Sequence, residues 1–190
     1  LVLAIDRAVL TEKVTQYGEQ PSFALIPGGI GDYAPAIPEY AAWTQEERVA
    51  EARRLYHEAG YSAKKPLAIE LRYSSNENNK KIALAVASMW KHVLGVNTTL
   101  VNEESKVFLQ SRAQKAVTEV FQAGWISDYN DPFAFLQQFR TGDERNDYNY
   151  SNSGFDVLLD QVAEERIPAR RDRMMVEAER MLLQDDPIVP

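Results

Sequence analysis

Gly124-Trp125-Ile126-Ser127-Asp128-Tyr129-Asn130-Asp131-Pro132 is the stretch on which the reading of this chain turns. Upstream of it, Val117 to Gln122 alternates apolar and polar side chains, the period of a half-buried strand. Downstream, Asp131-Pro132 reads as an N-cap and a first helical residue, and Phe133, Leu136 and Phe139 follow at helical spacing. A strand ends, a polar and aromatic loop turns, and a helix begins. In open α/β sheets ligands sit at such junctions, at the carboxyl ends of strands. Two carboxylates, Asp128 and Asp131, stand there beside Trp125 and Tyr129. On spacing alone the stretch also suits a plain capped turn with an anchoring tryptophan.

Working back towards the amino terminus, Leu67, Ile69, Leu71 and Tyr73 alternate as a strand, with a polar loop from Ser74 to Asn79 at its carboxyl end. The spacing predicts a helix over 80–94, with Ile82, Val86, Met89, Trp90 and Val93 inward and Gly95 as its stop. Val96, Thr98 and Leu100 mark a second strand, and a helix near 104–114 points Val107, Phe108 and Ser111 inward. Strand-helix-strand-helix-strand implies parallel pairing through right-handed crossovers. The expected class is α/β, a mixed sheet flanked by helices.

Outside this centre, residues 2–17 read as a helix with Ile5, Ala8 and Val9 on one face. Residues 19–43 hold four prolines and three glycines and read as a long irregular loop, either wrapped over a surface or functional. Gly28-Gly29-Ile30-Gly31 is no phosphate loop, because it lacks the Gly-Lys-Ser/Thr ending and follows Pro27 rather than a strand. Thr44-Gln45-Glu46-Glu47 is a capping box that opens a helix with Val49, Ala52, Tyr56 and Ala59 on one face, closed by Gly60. Beyond the central stretch, 141–153 is a polar loop. Two helices follow, near 154–165 (Phe155, Leu158, Leu159 and Val162 inward) and 168–184 (Met174, Ala178, Met181 and Leu182 inward).

The chain has 190 residues, enough for one domain with a sizeable core. A net charge of -7 argues against nonspecific nucleic-acid binding, which needs a basic footprint. There is no cysteine, which excludes disulfides, a thiol nucleophile and cysteine-based metal sites. The apolar runs are too short to span a membrane as helices. The chain opens in an apolar run, Leu1 to Ile5, and closes on the strand-like Ile188-Val189-Pro190, so both ends read as cut from a longer protein.

The residue chemistry narrows the function further. His57 and His92 lie on helices with no ligand spacing between them, and no metal or cofactor is expected. Ser74, Ser75 and Ser127 have no Gly-x-Ser-x-Gly elbow. Asp128 and Asp131, or Glu103 and Glu104, could in principle serve as a hydrolytic carboxylate pair, though a solvated helix cap explains Glu103-Glu104 better.

The central run resembles the Gly-Trp-x-x-Asp-Tyr-x-Asp/Glu-Pro signature of the periplasmic oligopeptide-binding proteins, the peptide- and nickel-class solute receptors of ABC importers. Other pieces agree in order. Leu3-Ala4-Ile5-Asp6-Arg7 is similar to the family's Ala-Ile-Asp-Arg segment, and Phe108-Leu109-Gln110-Ser111-Arg112 to its Phe-Leu-x-x-Arg segment. Ala85 to Lys91, Leu94 to Asn97, Ser153 to Asp156 and Asp185 to Pro190 also match, so the likeness covers nearly the whole chain.

The resemblance implies that residues 1–190 are one lobe, the C-terminal substrate-binding region, of a two-lobed type II periplasmic-binding-protein fold, truncated at both ends. It implies a receptor and not an enzyme, monomeric when intact, that delivers peptides in the periplasm to a membrane permease. Asp128 falls where the family pairs with the peptide α-ammonium, and backbone near Trp125 and Ile126 would pair with the peptide as an added strand. Arg112 falls where many members place a carboxylate-binding Arg. Asn79 and Gln122 stand where some relatives carry a His and a second Arg, and these departures put C-terminal recognition in doubt. Within the same class the alternatives are receptors for a dipeptide, a murein peptide or a nickel complex. From another class the alternative is a hydrolase that uses Asp128 and Asp131.

Overall fold

Backbone choices at element ends set where this chain turns. The computed structural model describes residues 1–116 and 119–190. These residues divide into two compact units: Leu1–Pro21 with Ala42–Arg112 and Ala116–Ala123, and Ser22–Ala41 with Ala113–Lys115 and Gly124–Pro190.

In the first unit, strands β1 (Ala68–Ser74), β2 (Asn97–Glu103) and β3 (Val120–Phe121) pair in the order β2-β1-β3, and every pairing between them is parallel. This is the arrangement that the strand-helix-strand order requires. A mixed sheet was expected; among the described residues no named strand pairs antiparallel, and the sheet described is parallel, flanked by helices. Of the strand expected over 117–122, residues 117–118 lie outside the described residues and β3 occupies the next part. Alternation along β1 buries Leu71 and Tyr73.

Helices α1 (Arg7–Val9), α2 (Gln45–Glu58), α3 (Glu77–Leu94) and α4 (Ser105–Ala113) complete this unit. α3 packs on β1 and β2 and against α2. Its Trp90 is 1% exposed and donates its indole N–H to the Leu1 carbonyl at 3.2 Å. α2 opens with the expected capping box: Thr44 Oγ1 accepts from the Glu47 amide, and Glu47 accepts from the Thr44 amide. Gly95 ends α3 at φ 78°, a left-handed conformation that glycine adopts without a Cβ penalty.

Three expectations change here. The helix expected over 2–17 is broken. Ile5 and Asp6 are extended, and Asp6 turns its carboxylate onto the Val9 amide at 3.0 Å, so a short Asp side chain restarts the helix one turn late. A wider π-type stretch, Leu10–Thr15, continues it, with Thr11 and Thr15 hydroxyls donating back to carbonyls one turn earlier. α3 starts at Glu77 rather than residue 80, because Asn76 accepts the Asn79 amide at 2.7 Å and caps the helix. In α4, Phe108 is buried but Val107 is half exposed, so the inward face is narrower than expected.

The second unit is built on α5 (Phe133–Leu136), α6 (Ser153–Glu164) and α7 (Pro168–Asp185), with a 3-10 turn, Gln137–Phe139, after α5. Its core holds Phe135, Leu136, Phe139, Phe155, Leu159 and Val162, with Met175, Ala178 and Leu182 from α7. The buried face of α7 is rotated from the one expected: Met175 and Glu179 are fully buried, while Met174 and Met181 pack at its margin.

Glu179 explains how the long loop is held. Its Oε1 accepts from the Ile26 amide at 2.9 Å, and its Oε2 accepts from Tyr33 Oη at 2.9 Å and from the Ala36 amide at 2.7 Å. The loop therefore wraps this unit and is fastened from inside it. Burial pushes the Glu179 carboxyl above the ordinary range, and burial together with the neighbouring carboxylate pushes the Tyr33 phenol up.

Candidate functional site

The chain passes from the first unit to the second between Ala123 and Gly124, at the head of the Gly124 to Pro132 stretch. Gly124 to Ser127 takes no regular structure. Among the described residues the amides and carbonyls of Gly124, Trp125 and Ile126 form no hydrogen bonds. Trp125 packs on the core of the second unit, while Ile126 is 91% exposed. The indole anchors the segment and the neighbouring residue faces solvent.

The rest of the loop is fixed by its own polar groups. Ser127 Oγ hydrogen-bonds the Tyr129 carbonyl and accepts from the Tyr129 amide, a local turn. Tyr129 Oη accepts from Gln137 Nε2 at 3.0 Å, which holds the loop against the turn after α5. Asp131 Oδ1 accepts the Phe133 amide at 2.8 Å, with Pro132 in the N-cap position. Asp131 also receives both terminal nitrogens of Arg171, at 2.8 and 3.0 Å, a paired grip that neutralises it.

Asp128 differs. It is exposed and makes no hydrogen bond or ion pair with any described residue. Of the two carboxylates in the loop, one is thus structural and one is available. The hydrolase alternative pairs Asp128 with Asp131, and both oxygens of Asp131 are already engaged.

Asn79, Gln122 and Arg112 lie in the first unit. Asn79 Nδ2 donates to the Ser74 hydroxyl at 2.9 Å and more weakly to its carbonyl, and Asn79 Oδ1 accepts from Gln122 Nε2 at 3.2 Å. The Gln122 amide continues the sheet by donating to the Arg72 carbonyl at 2.9 Å. These two side chains form a neutral amide pair across the carboxyl ends of β1 and β3. The Arg112 guanidinium stacks over Phe108 at 5.6 Å and Phe121 at 4.9 Å.

In the loop after α5, three polar residues carry contacts that the sequence does not announce. Asp143 grips Arg145: Oδ1 accepts from the Arg145 amide and Nε, and Oδ2 from Nη2 at 2.7 Å. Asn146, 1% exposed, holds this loop together, donating to the carbonyls of Arg140 and Tyr150 and accepting the Tyr150 amide. Their signal in the sequence was only a polar loop, since neither pairing follows any period. Glu179 had a readable signal, a carboxylate in phase with the apolar stripe of α7.

Among the described residues no group of three or more His, Cys, Asp or Glu is placed to hold a metal ion, and no helix is long and apolar enough to cross a membrane. The sequence profile of the bacterial extracellular solute-binding proteins, family 5 middle, matches residues 1–147. The chain belongs to that family. The periplasmic oligopeptide-binding protein OppA of Escherichia coli K12 is 37% identical over 190 residues, covering 100% of this chain and 35% of that protein. The structure of the Escherichia coli murein tripeptide binding protein MppA superposes with a TM-score of 0.94 at 36% identity, covering 100% of this chain and 37% of that one. Haemophilus influenzae OppA in complex with the peptide RPPGFSPFR superposes with a TM-score of 0.92 at 33% identity, covering 99% of this chain and 37% of that one. The chain spans about a third of the length of the curated relatives it matches. These likenesses make the α/β architecture that of the family's peptide receptors.

Proposed function

We propose that this chain is one lobe of a periplasmic solute receptor that captures extended oligopeptides and hands them to the membrane permease of an ABC importer. The observation that carries the reading is the contrast in the central loop. Asp131 is spent on Arg171, while Asp128 stands unpaired beside main chain with no hydrogen bonds at Gly124 to Ile126.

A free α-ammonium and a peptide backbone are features that peptides share whatever their sequence. An available carboxylate meets the first by a charge-assisted hydrogen bond, and unpaired main chain meets the second by strand-like pairing. Neither device reads side chains, which suits a receptor with many ligands. The relatives named oligopeptide-binding, including one solved with a nonapeptide, support this class over an enzyme.

Arg112 is assigned the ligand carboxylate on the family likeness alone. Asn79 and Gln122 are likewise assigned to the ligand on the family likeness alone.

The test is calorimetric titration of the full-length receptor with a free-amine tripeptide, before and after Asp128→Ala. Loss of one partner of a buried charge pair weakens binding by roughly 2–5 kcal/mol. Unchanged affinity would remove Asp128 from the site.

A further inference from the structure

We propose that Arg171 is a positioning residue of the peptide site: its grip on Asp131 braces the 127–131 loop, so that Asp128 meets the ligand's ammonium in one fixed place. This rests on the function proposed above and adds to it the residue on which Asp128 depends.

The geometry begins with how Arg171 is held. It sits in the first turn of α7, where its amide donates to the Ile167 carbonyl at 3.0 Å. Met175, one turn further on, and Ala178 and Leu182 beyond it are fully buried in the core of the second unit. The guanidinium is therefore carried by a helix that the core fixes. Its Nη1 donates to Asp131 Oδ2 at 2.8 Å and its Nη2 to Asp131 Oδ1 at 3.0 Å. Its central carbon lies 5.9 Å from the centre of the Phe133 ring. A two-pronged contact sets the direction of the carboxylate as well as its distance. The two side chains are 26% and 29% exposed, so the pair is partly shielded from water and salt.

The hold passes to Asp128 through the loop itself. The Asp131 amide donates to the Tyr129 carbonyl at 2.9 Å, and Tyr129 is tied to Ser127 and to Gln137. Asp128 lies between Ser127 and Tyr129 and makes no hydrogen bond or ion pair with any described residue. Its place is set by its neighbours. The main chain of 124–126 has a separate anchor, the Trp125 side chain packed on the core. Loss of the Arg171 grip thus loosens the carboxylate and spares the strand-like segment. A loosened carboxylate must be ordered again when the ligand binds, and that cost falls on the ammonium contact alone.

The test is calorimetric titration of full-length receptor with trialanine, free or N-acetylated. The ratio of the two dissociation constants is read within each variant, so any misfolded fraction cancels. Arg171→Gln should narrow the wild-type ratio about fivefold, within the range for coupled members of one network. Asp131→Asn breaks the same grip from the loop side and keeps an acceptor for the Phe133 amide. It should narrow the ratio equally, and the two substitutions together should narrow it no further. A residue that only stabilised the lobe would weaken both peptides alike and leave the ratio unchanged, and that result overturns the proposal. A ratio that moves with Arg171→Gln and not with Asp131→Asn overturns it as well. Equal constants for the two peptides in the wild type would remove Asp128 from the site and the parent reading with it. A large wild-type ratio that neither variant alters removes Arg171 alone.

Discussion

Replacing Glu179 by Gln probes the least expected feature of the fold, a fully buried carboxylate that fastens the 22–41 loop. Three donors converge on two oxygens: the Ile26 amide on one, and Tyr33 Oη and the Ala36 amide on the other. No described cation forms an ion pair with the group. A glutamine keeps one carbonyl oxygen, which can retain the donors on one side only. Its amide nitrogen then confronts an N–H or O–H, and at least one buried donor is left without an acceptor. Such an orphan costs about 1–3 kcal/mol. Part of this is offset, because the variant no longer buries a charge. A net loss of about 1–2 kcal/mol is expected, concentrated in the loop.

Amide hydrogen exchange reads this locally. Protection at Ile26 and Ala36 should fall about tenfold, the equivalent of roughly 1.4 kcal/mol, while amides in α3 stay unchanged. Tyr33→Phe, which deletes a single donor, should cost less, about 1 kcal/mol. The pH dependence has a fixed sign. Burial raises the folded-state pKa of Glu179 above its ordinary 4.5, so folding takes up a proton there. The stability this group adds is fully present below 4.5 and is lost as pH rises through the raised folded value. Wild type should therefore gain stability relative to Glu179→Gln as pH falls through that window. Equal protection factors in the two proteins, with no relative change with pH, would refute the argument that the carboxylate holds the loop.

Two further outcomes follow from other residues. Asn146→Ala should cost about 2–3 kcal/mol and raise exchange at the Tyr150 amide, because the buried side chain satisfies several backbone groups at once; a thermal melt and exchange mass spectrometry check both. Asp131→Asn should lose the ionic grip of Arg171 yet keep a cap for Phe133, costing about 1 kcal/mol by urea denaturation.

The parts of the fold that were legible in the sequence are those where one face repeats. The alternation that buries Leu71 and Tyr73, the stripe of Phe155, Leu159 and Val162, and the capping box at Thr44 follow from period and cap chemistry. Errors cluster where a short polar side chain decides locally. Asp6 and Asn76 each moved a helix start by bonding an amide that a periodic reading gives to the backbone. Glu179 rotated the buried face of α7, because a carboxylate satisfied by three donors can occupy a core position that hydrophobicity alone would deny it. In the site, the carboxylates were visible but their division of labour was not. That Asp131 belongs to Arg171 depends on a residue 40 positions away. The grip of Asp143 on Arg145 lay hidden as well, since it follows from a local turn rather than from any repeat.

Asp128 is proposed to read the free amino terminus of a peptide. The test is a titration of full-length receptor with a single peptide, free or N-acetylated, in the same buffer. Acetylation removes the positive charge and keeps the rest of the ligand nearly intact. The expected result is a loss of affinity of at least about 2 kcal/mol, roughly 30-fold, on acetylation. Equal dissociation constants for the two peptides would contradict the claim.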